Sequence, residues 1–193
     1  MILIGFSGRS KNGKSTAAEA IRTHAEKEGR RTGIYDIGAE VLSYCKLEGR
    51  IGWDKTREEL SKDELATLVE VGHNKRIEDM DFWLKSITRK VYQDRYEVAL
   101  IPNIRMQNEC DFVRKNGGYV VKVLAFNPDG SPHISNDRDP NHPLETSLLN
   151  APADYYIAAQ KGDAGIVGEQ AITIFQYVVG LKEDEHEHTA CAD

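Results

Sequence analysis

The chain has 193 residues, 40% of them apolar, with three cysteines and a formal net charge of −6; that is enough to bury one domain core and gives no reason to invoke a second fold. Its acidity is concentrated in KEDEHEHTACAD (182–193), which holds five acids against one lysine and leaves 24 basic and 26 acidic residues in the body. So nearly neutral a body excludes the broad basic face that binds nucleic-acid backbones.

Cys45, Cys110 and Cys191 have neither CxxC nor metal-ligand spacing, which suits reduced thiols in a cytoplasm better than a disulfide framework. The apolar run at the amino terminus is too short for a signal peptide and lacks a basic leader. No later stretch approaches the roughly 20 residues of a membrane helix. The sequence therefore predicts a cytoplasmic protein without membrane partners.

In chain order, ILIGFS (2–7) reads as a buried strand. It runs into GRSKNGKST (8–16), which matches the pattern GxxxxGK[ST]. Gly8 and Gly13 let successive backbone amides turn inward toward phosphate oxygens, and the following helix adds its positive end. In such a loop Lys14 reaches the β- and γ-phosphates and the Ser15 hydroxyl ligates Mg²⁺. Arg9 and Lys11 either add local positive charge or are simply solvated. Ala17, Ala20, Ile21 and Ala25 share one helical face, and RTGIYDIG (31–38) supplies the next strand, giving the βαβ rhythm of a parallel sheet.

From about Thr56 to Tyr92, Leu60, Leu65, Leu68, Val69, Phe82, Trp83, Ile87 and Val91 recur near helical spacing, predicting a long helical block. EVALIPN (97–103) is a buried-strand run. The helix over NECDFVRK after it stops at Asn116, Gly117 and Gly118. YVVKVLAF (119–126) and DYYIAAQ (154–160) are the last strands, and a helix covers about 164–181. Between these strands lies NPDGSPHISNDRDPNHPLET, twenty residues dense in Pro, Asn, Asp and Gly. A loop of that length inside a compact domain predicts a mobile cover. The tail reads as disordered, with His186 and His188 solvated rather than metal-bound.

A phosphate loop does not specify a reaction. A GTPase needs NKxD and DxxG, but NKRI (74–77) lacks the aspartate and no Asp stands three residues before a Gly. A remodelling ATPase needs an apolar strand ending in Asp-Glu. What remains is the small-kinase class, in which arginines neutralise a phosphoryl group moving between ATP and a second phosphorylated substrate. Arg105 lies just past the C-terminal end of a strand, the edge where parallel sheets bind ligands. Arg76 ends a helical pattern, and Arg138 sits in the long loop; each also reads as an ordinary surface arginine. Trp83 serves equally as a stacking platform for a base or as core.

Taken together, GRSKNGKST, LVEVGHNKRIEDMDFW, VALIPNIRMQNECDFVRKNGGYVVKV, HPLE and ADYYIAAQKGD resemble the deoxynucleoside monophosphate kinases of tailed bacteriophages, over most of the chain. Arg105, Asn108, Glu109, Gly117 and Gly118 fit the family's third stretch, and His142 and Glu145 match its late histidine and glutamate. The resemblance implies an α/β P-loop NTPase fold over residues 1–181: a parallel β-sheet flanked by helices, a helical acceptor-binding insertion at about 39–95, a lid at about 127–147, and an acidic flexible tail at 182–193.

It also implies transfer of the ATP γ-phosphoryl group to a deoxynucleoside monophosphate, in the host cytoplasm if phage-encoded. ATP and Mg²⁺ would be held by Gly8, Arg9, Lys11, Asn12, Gly13, Lys14, Ser15 and Thr16, the metal by Ser15 and Asn103. The acceptor would be held by Asp36, Arg76, Trp83, Arg105 and Glu109, with Lys14, Arg105 and Arg138 catalytic. The partners expected are small molecules and no polymeric nucleic acid, and a homodimer stays open. The alternatives are a P-loop kinase of dephospho-coenzyme A or phosphomevalonate type, or a nucleotide-binding protein without transfer activity.

Two residues depart from the family pattern. Asn103 replaces an aspartate, so it can accept a hydrogen bond from a metal-bound water but brings no charge. Ser43, after Leu42, replaces a lysine near the acceptor; Asp36 is placed to compensate.

Overall fold

The computed structural model describes residues 1–135 and 139–190, the side chains of 184–190 excepted. The chain divides into two compact units, one formed by Met1–Ile34 with Tyr96–Asp193, the other by Tyr35–Arg95.

The first unit holds a five-stranded parallel sheet. Its strands are β1 (Ile2–Ser7), β2 (Thr32–Ile34), β3 (Val98–Ile104), β4 (Tyr119–Phe126) and β5 (Tyr155–Gln160), in the order β2-β3-β1-β4-β5. β1 is buried along its whole length, as a central parallel strand covered on both faces must be. One face packs on α1 (Lys14–Lys27) through Ala17, Ala18, Ile21 and Ala25. These small residues let the helix lie close to the strands. This is the P-loop α/β fold, with the phosphate loop joining β1 to α1.

The same core receives α7 (Ala164–Ala190) through Val167, Ala171, Phe175 and Val178, all buried. By length and composition, Ala164–Glu183 is long and apolar enough to cross a membrane, contrary to the sequence expectation that no stretch approaches that length. Here Val167, Ala171, Phe175 and Val178 pack on the sheet core, while Ile166 and Tyr177 are exposed. The helix also runs past residue 181 into the acidic segment read as a flexible tail. No Gly or Pro follows Gly180, and Glu183 bonds Arg30 at 3.0 Å. Cys191 and the rest of 191–193 lie outside the described residues.

On the opposite face, α5 (Gln107–Lys115) buries Cys110 and Val113. Asp154 joins β4 to the start of β5, accepting from Val120 N at 2.7 Å while Arg114 Nε lies 3.4 Å away.

The second unit is helical: α2 (Ile37–Leu47), a 3₁₀ turn (Arg57–Glu59), α3 (Lys62–Glu78) and α4 (Phe82–Asp94). The single block read from Thr56 to Tyr92 is thus one turn and two helices. Thr56 and Ser61 each begin a segment, their third residues Glu59 and Glu64 reaching back to the backbone amides at 2.7 and 2.9 Å. Two reciprocal caps so close together divide the block. Tyr44, Phe82 and Trp83 pack edge to face, with the Phe82 and Trp83 centroids 4.9 Å apart.

The segment read as a mobile cover opens on a hydrogen-bonded turn. Asn127–Ser131 folds into a tight turn, with Asn127 N donating to Ser131 O at 2.8 Å, and His133 N returns to Ala125 O at 2.8 Å. The short helix α6 (Pro143–Thr146) sits at its far end.

Candidate functional site

The phosphate loop is shaped by backbone conformations that side chains resist. Gly8 has φ +130°, and a Cβ there would lie 2.3 Å from Val123 O on the neighbouring strand. Gly13 caps α1 with φ +96°, and Lys11 adopts φ +57° between them. Left-handed residues interleaved with right-handed ones turn amides to one side, and a glycine cap leaves the first amides of α1 without a side-chain acceptor. The curvature is braced from outside: Asn12 is buried with Nδ2 3.4 Å from Val123 O, and Lys161 Nζ donates to Lys11 O at 2.6 Å.

Lys14 is only 4% exposed, and its ammonium donates to Arg9 O at 2.7 Å. Ser15 and Thr16, in the first turn of α1, are exposed.

Arg105 follows the C-terminal end of β3, and Ile104 pairs with Ser7 immediately before the loop. The arginine Nη1 donates to Glu145 Oε1 at 2.6 Å and to Leu144 O at 3.1 Å. The other carboxylate oxygen of Glu145 accepts from the backbone amide of Ser10, within the phosphate loop, at 2.8 Å. A side chain on α6 thus joins a loop at the amino terminus to an arginine about halfway along the chain. The α6 turn is itself set by Pro143 at its first position and by His142, whose Nδ1 accepts from Leu144 N at 3.1 Å.

Glu109, expected from the sequence to bind substrate, has another task in the structure. It is 2% exposed, and its Oε2 accepts from Arg105 N at 2.6 Å and Met106 N at 3.1 Å. The carboxylate therefore satisfies amides at the start of α5 and holds the Arg105 backbone. Asn103 stands half-buried at the end of β3, on the same sheet edge as the loop. The Ser15 hydroxyl and the Asn103 amide oxygen are neutral oxygen donors, compatible with Mg²⁺ when substrate phosphates supply the charge. Arg9 Nη1 lies 3.5 Å from Pro140 O, whereas Arg138 lies outside the described residues.

Asp36, Arg76 and Trp83 belong to the helical unit. Asp36 caps α2, accepting from Gly38 N at 2.6 Å and Ala39 N at 3.3 Å. Arg57, which the sequence reading passed over, lies beside it: a Cβ on Gly38 would fall 2.6 Å from Arg57 Nη1. Arg76 Nη1 and Trp83 Nε1 both donate to Gly72 O, at 3.2 and 3.1 Å. Of the two readings of Trp83, the structure gives core: it is 2% exposed and packs in T-shaped contact with Tyr44 and Phe82. A ring so enclosed offers no face to a base, which corrects its assignment to the acceptor site.

The thiols of Cys45 and Cys110 stay protonated. Burial pushes Cys110 up to about 11 and raises Cys45 as well, so neither is a nucleophile at neutral pH.

No protein-family description and no curated protein matches the chain. Among solved structures it is similar to an APS kinase from Mycobacterium tuberculosis, at 17% identity over 94% of this chain and 96% of that one, with a TM-score of 0.44. It is also similar to a shikimate kinase from Aquifex aeolicus, at 16% identity over 92% and 99%, TM-score 0.47. A third is a gluconokinase from Sinorhizobium meliloti, at 17% identity over 96% and 95%, TM-score 0.45.

Proposed function

We propose that the chain is an ATP-dependent phosphotransferase that passes the γ-phosphoryl group to a deoxynucleoside monophosphate, giving ADP and the diphosphate. The observation that carries the reading is the short link from the phosphate loop to Arg105, through one carboxylate at 2.8 and 2.6 Å. Phosphoryl transfer needs positive groups on both sides of the moving phosphorus, and here a lysine-bearing anion loop and a strand-end arginine share one sheet edge. The choice of acceptor rests on the order of sequence motifs shared with the phage enzymes.

In this mechanism the loop amides and Lys14 hold the β- and γ-phosphates. An oxygen of the acceptor phosphate attacks the γ-phosphorus, the bond from that phosphorus to the β,γ-bridging oxygen breaks, and ADP leaves with the bridging oxygen. Arg105 balances charge on the acceptor side. No protein nucleophile is required, because in-line placement and charge stabilisation carry most of such a reaction. Mg²⁺, held through Ser15 with Asn103 toward its bound water, would neutralise phosphate charge when present.

The test is an acceptor panel. Mg-ATP with dAMP, dGMP, dCMP or dTMP should give a diphosphate from at least one. Dephospho-coenzyme A and phosphomevalonate test the alternatives. A folded protein that binds ATP and phosphorylates none of the nucleotides overturns the reading.

A further inference from the structure

Glu145 is buried, charged and given no task by the transfer chemistry above. Its side chain is 4% exposed and that of its partner Arg105 is 14% exposed. Removing two charges from water costs about as much as their attraction returns, so such a pair is a poor device for stability alone.

We propose that Glu145 is a positioning residue for phosphoryl transfer: by binding the Ser10 amide with one carboxylate oxygen and the Arg105 guanidinium with the other, it sets the distance between the phosphate loop and the acceptor-side arginine. This rests on the phosphotransferase reading. The geometry argues for it in three ways. Both oxygens are used, on groups 95 residues apart in sequence, at 2.8 and 2.6 Å. Arg105 is held at both ends, its amide by Glu109 at 2.6 Å and its Nη1 by Glu145 and by the neighbouring Leu144 carbonyl at 3.1 Å. The turn that presents Glu145 is stiffened by Pro143 and by the His142 cap. A long side chain on a strand end, otherwise free to sample many rotamers, becomes a fixed donor. Misplacing a reacting partner by about 1 Å costs on the order of 100-fold in rate.

The experiment compares wild type, E145Q, E145D, R105A and the double variant R105A/E145Q. Glutamine keeps the length without the charge and aspartate the charge without the length, so neither restores the bridge. For each, kcat should fall about 100-fold, while ADP affinity by calorimetry changes less than about threefold, a kcat-against-binding split. In the R105A background E145Q should cost less than about threefold, since its effect passes through the arginine. Should E145Q not fold, E145D carries the same prediction. A kcat within about twofold of wild type, or losses that multiply independently, overturns the proposal. So does faster turnover with tighter ATP binding, which would make Glu145 a self-blocking anion in the loop.

If wild type phosphorylates no nucleotide, the reaction reading falls and the positioning is decided separately by arginine side-chain NMR. A slowly exchanging Arg105 guanidinium signal in wild type that averages in E145Q supports the bridge. Identical signals in both overturn it.

Discussion

Lys14 Nζ donates to Arg9 O across 2.7 Å, so the lysine of the phosphate loop bonds the backbone of that same loop five residues earlier. The ammonium is thereby held over the amides rather than extended into solvent. Lys14→Met keeps the length of the stem and removes the charge. Turnover should fall by about 10³-fold or more, in line with loss of a charge-stabilising group at a transferring phosphoryl, while the urea midpoint shifts little. Near-normal kcat in a folded variant would remove Lys14 from the chemistry.

The loop should tolerate no side chain at its entry. Gly8→Ala meets a left-handed φ of +130° and a carbonyl 2.3 Å from the new Cβ. A cost of about 3 kcal/mol is expected, with loss of nucleotide binding. Gly29→Ala, at φ +81° with nothing within 4 Å, bears only the conformational strain and should cost about 1 kcal/mol. Equal urea midpoints for the two variants would contradict the close approach of β4.

Asn103 at the end of β3 offers a neutral oxygen where a charge would bind metal more strongly. Asn103→Asp is expected to lower the Mg²⁺ concentration giving half-maximal activity and leave kcat equal or higher. Steady-state rates across a Mg²⁺ titration decide it, and slower turnover would show that the amide itself belongs to this site.

Cys110, 1% exposed with its thiol pushed up to about 11, ionises later in the folded chain than in the unfolded one, where thiols titrate at about 8.5. Between those values the unfolded state binds fewer protons than the folded state, so stability falls as pH rises. Urea midpoints measured from pH 8 to 11 should therefore decline, and Cys110→Ala should shallow the slope. In the native protein at neutral pH, Cys45 and Cys110 should not react with a thiol reagent until denaturant is added.

Two tryptophans differ in surroundings: Trp53 is 67% exposed and Trp83 2%. Iodide should quench the fluorescence of Trp53 and leave that of Trp83, so Trp53→Phe should abolish most quenching. Strong quenching of Trp83 by iodide or by an acceptor nucleotide would restore it to the acceptor site.

Much of this protein is legible one segment at a time. Gly8, Gly13, Lys14 and Ser15 declare an anion loop because the constraint is local: positive φ, inward amides and a helix start all fall within nine residues. The strands could be read because a parallel sheet covered on both faces needs continuous apolar runs. Local patterning also misled. The apolar length of Ala164–Glu183 was passed over, and Trp83 looked as fit for a base as for the core. Glu109 fitted a substrate-binding pattern, whereas its carboxylate is used within hydrogen-bond reach on amides at the start of its own helix. Glu145 was visible only as a match without a task. Its partners are Ser10 and Arg105, far away in sequence, and no periodicity encodes a bond between residues that only the crossings of the sheet bring together. Local chemistry names the groups able to bind phosphate; the folded chain decides which of them are held at a fixed distance, because that distance is set by the pairing of β1 with β3, strands 90 or more residues apart in sequence.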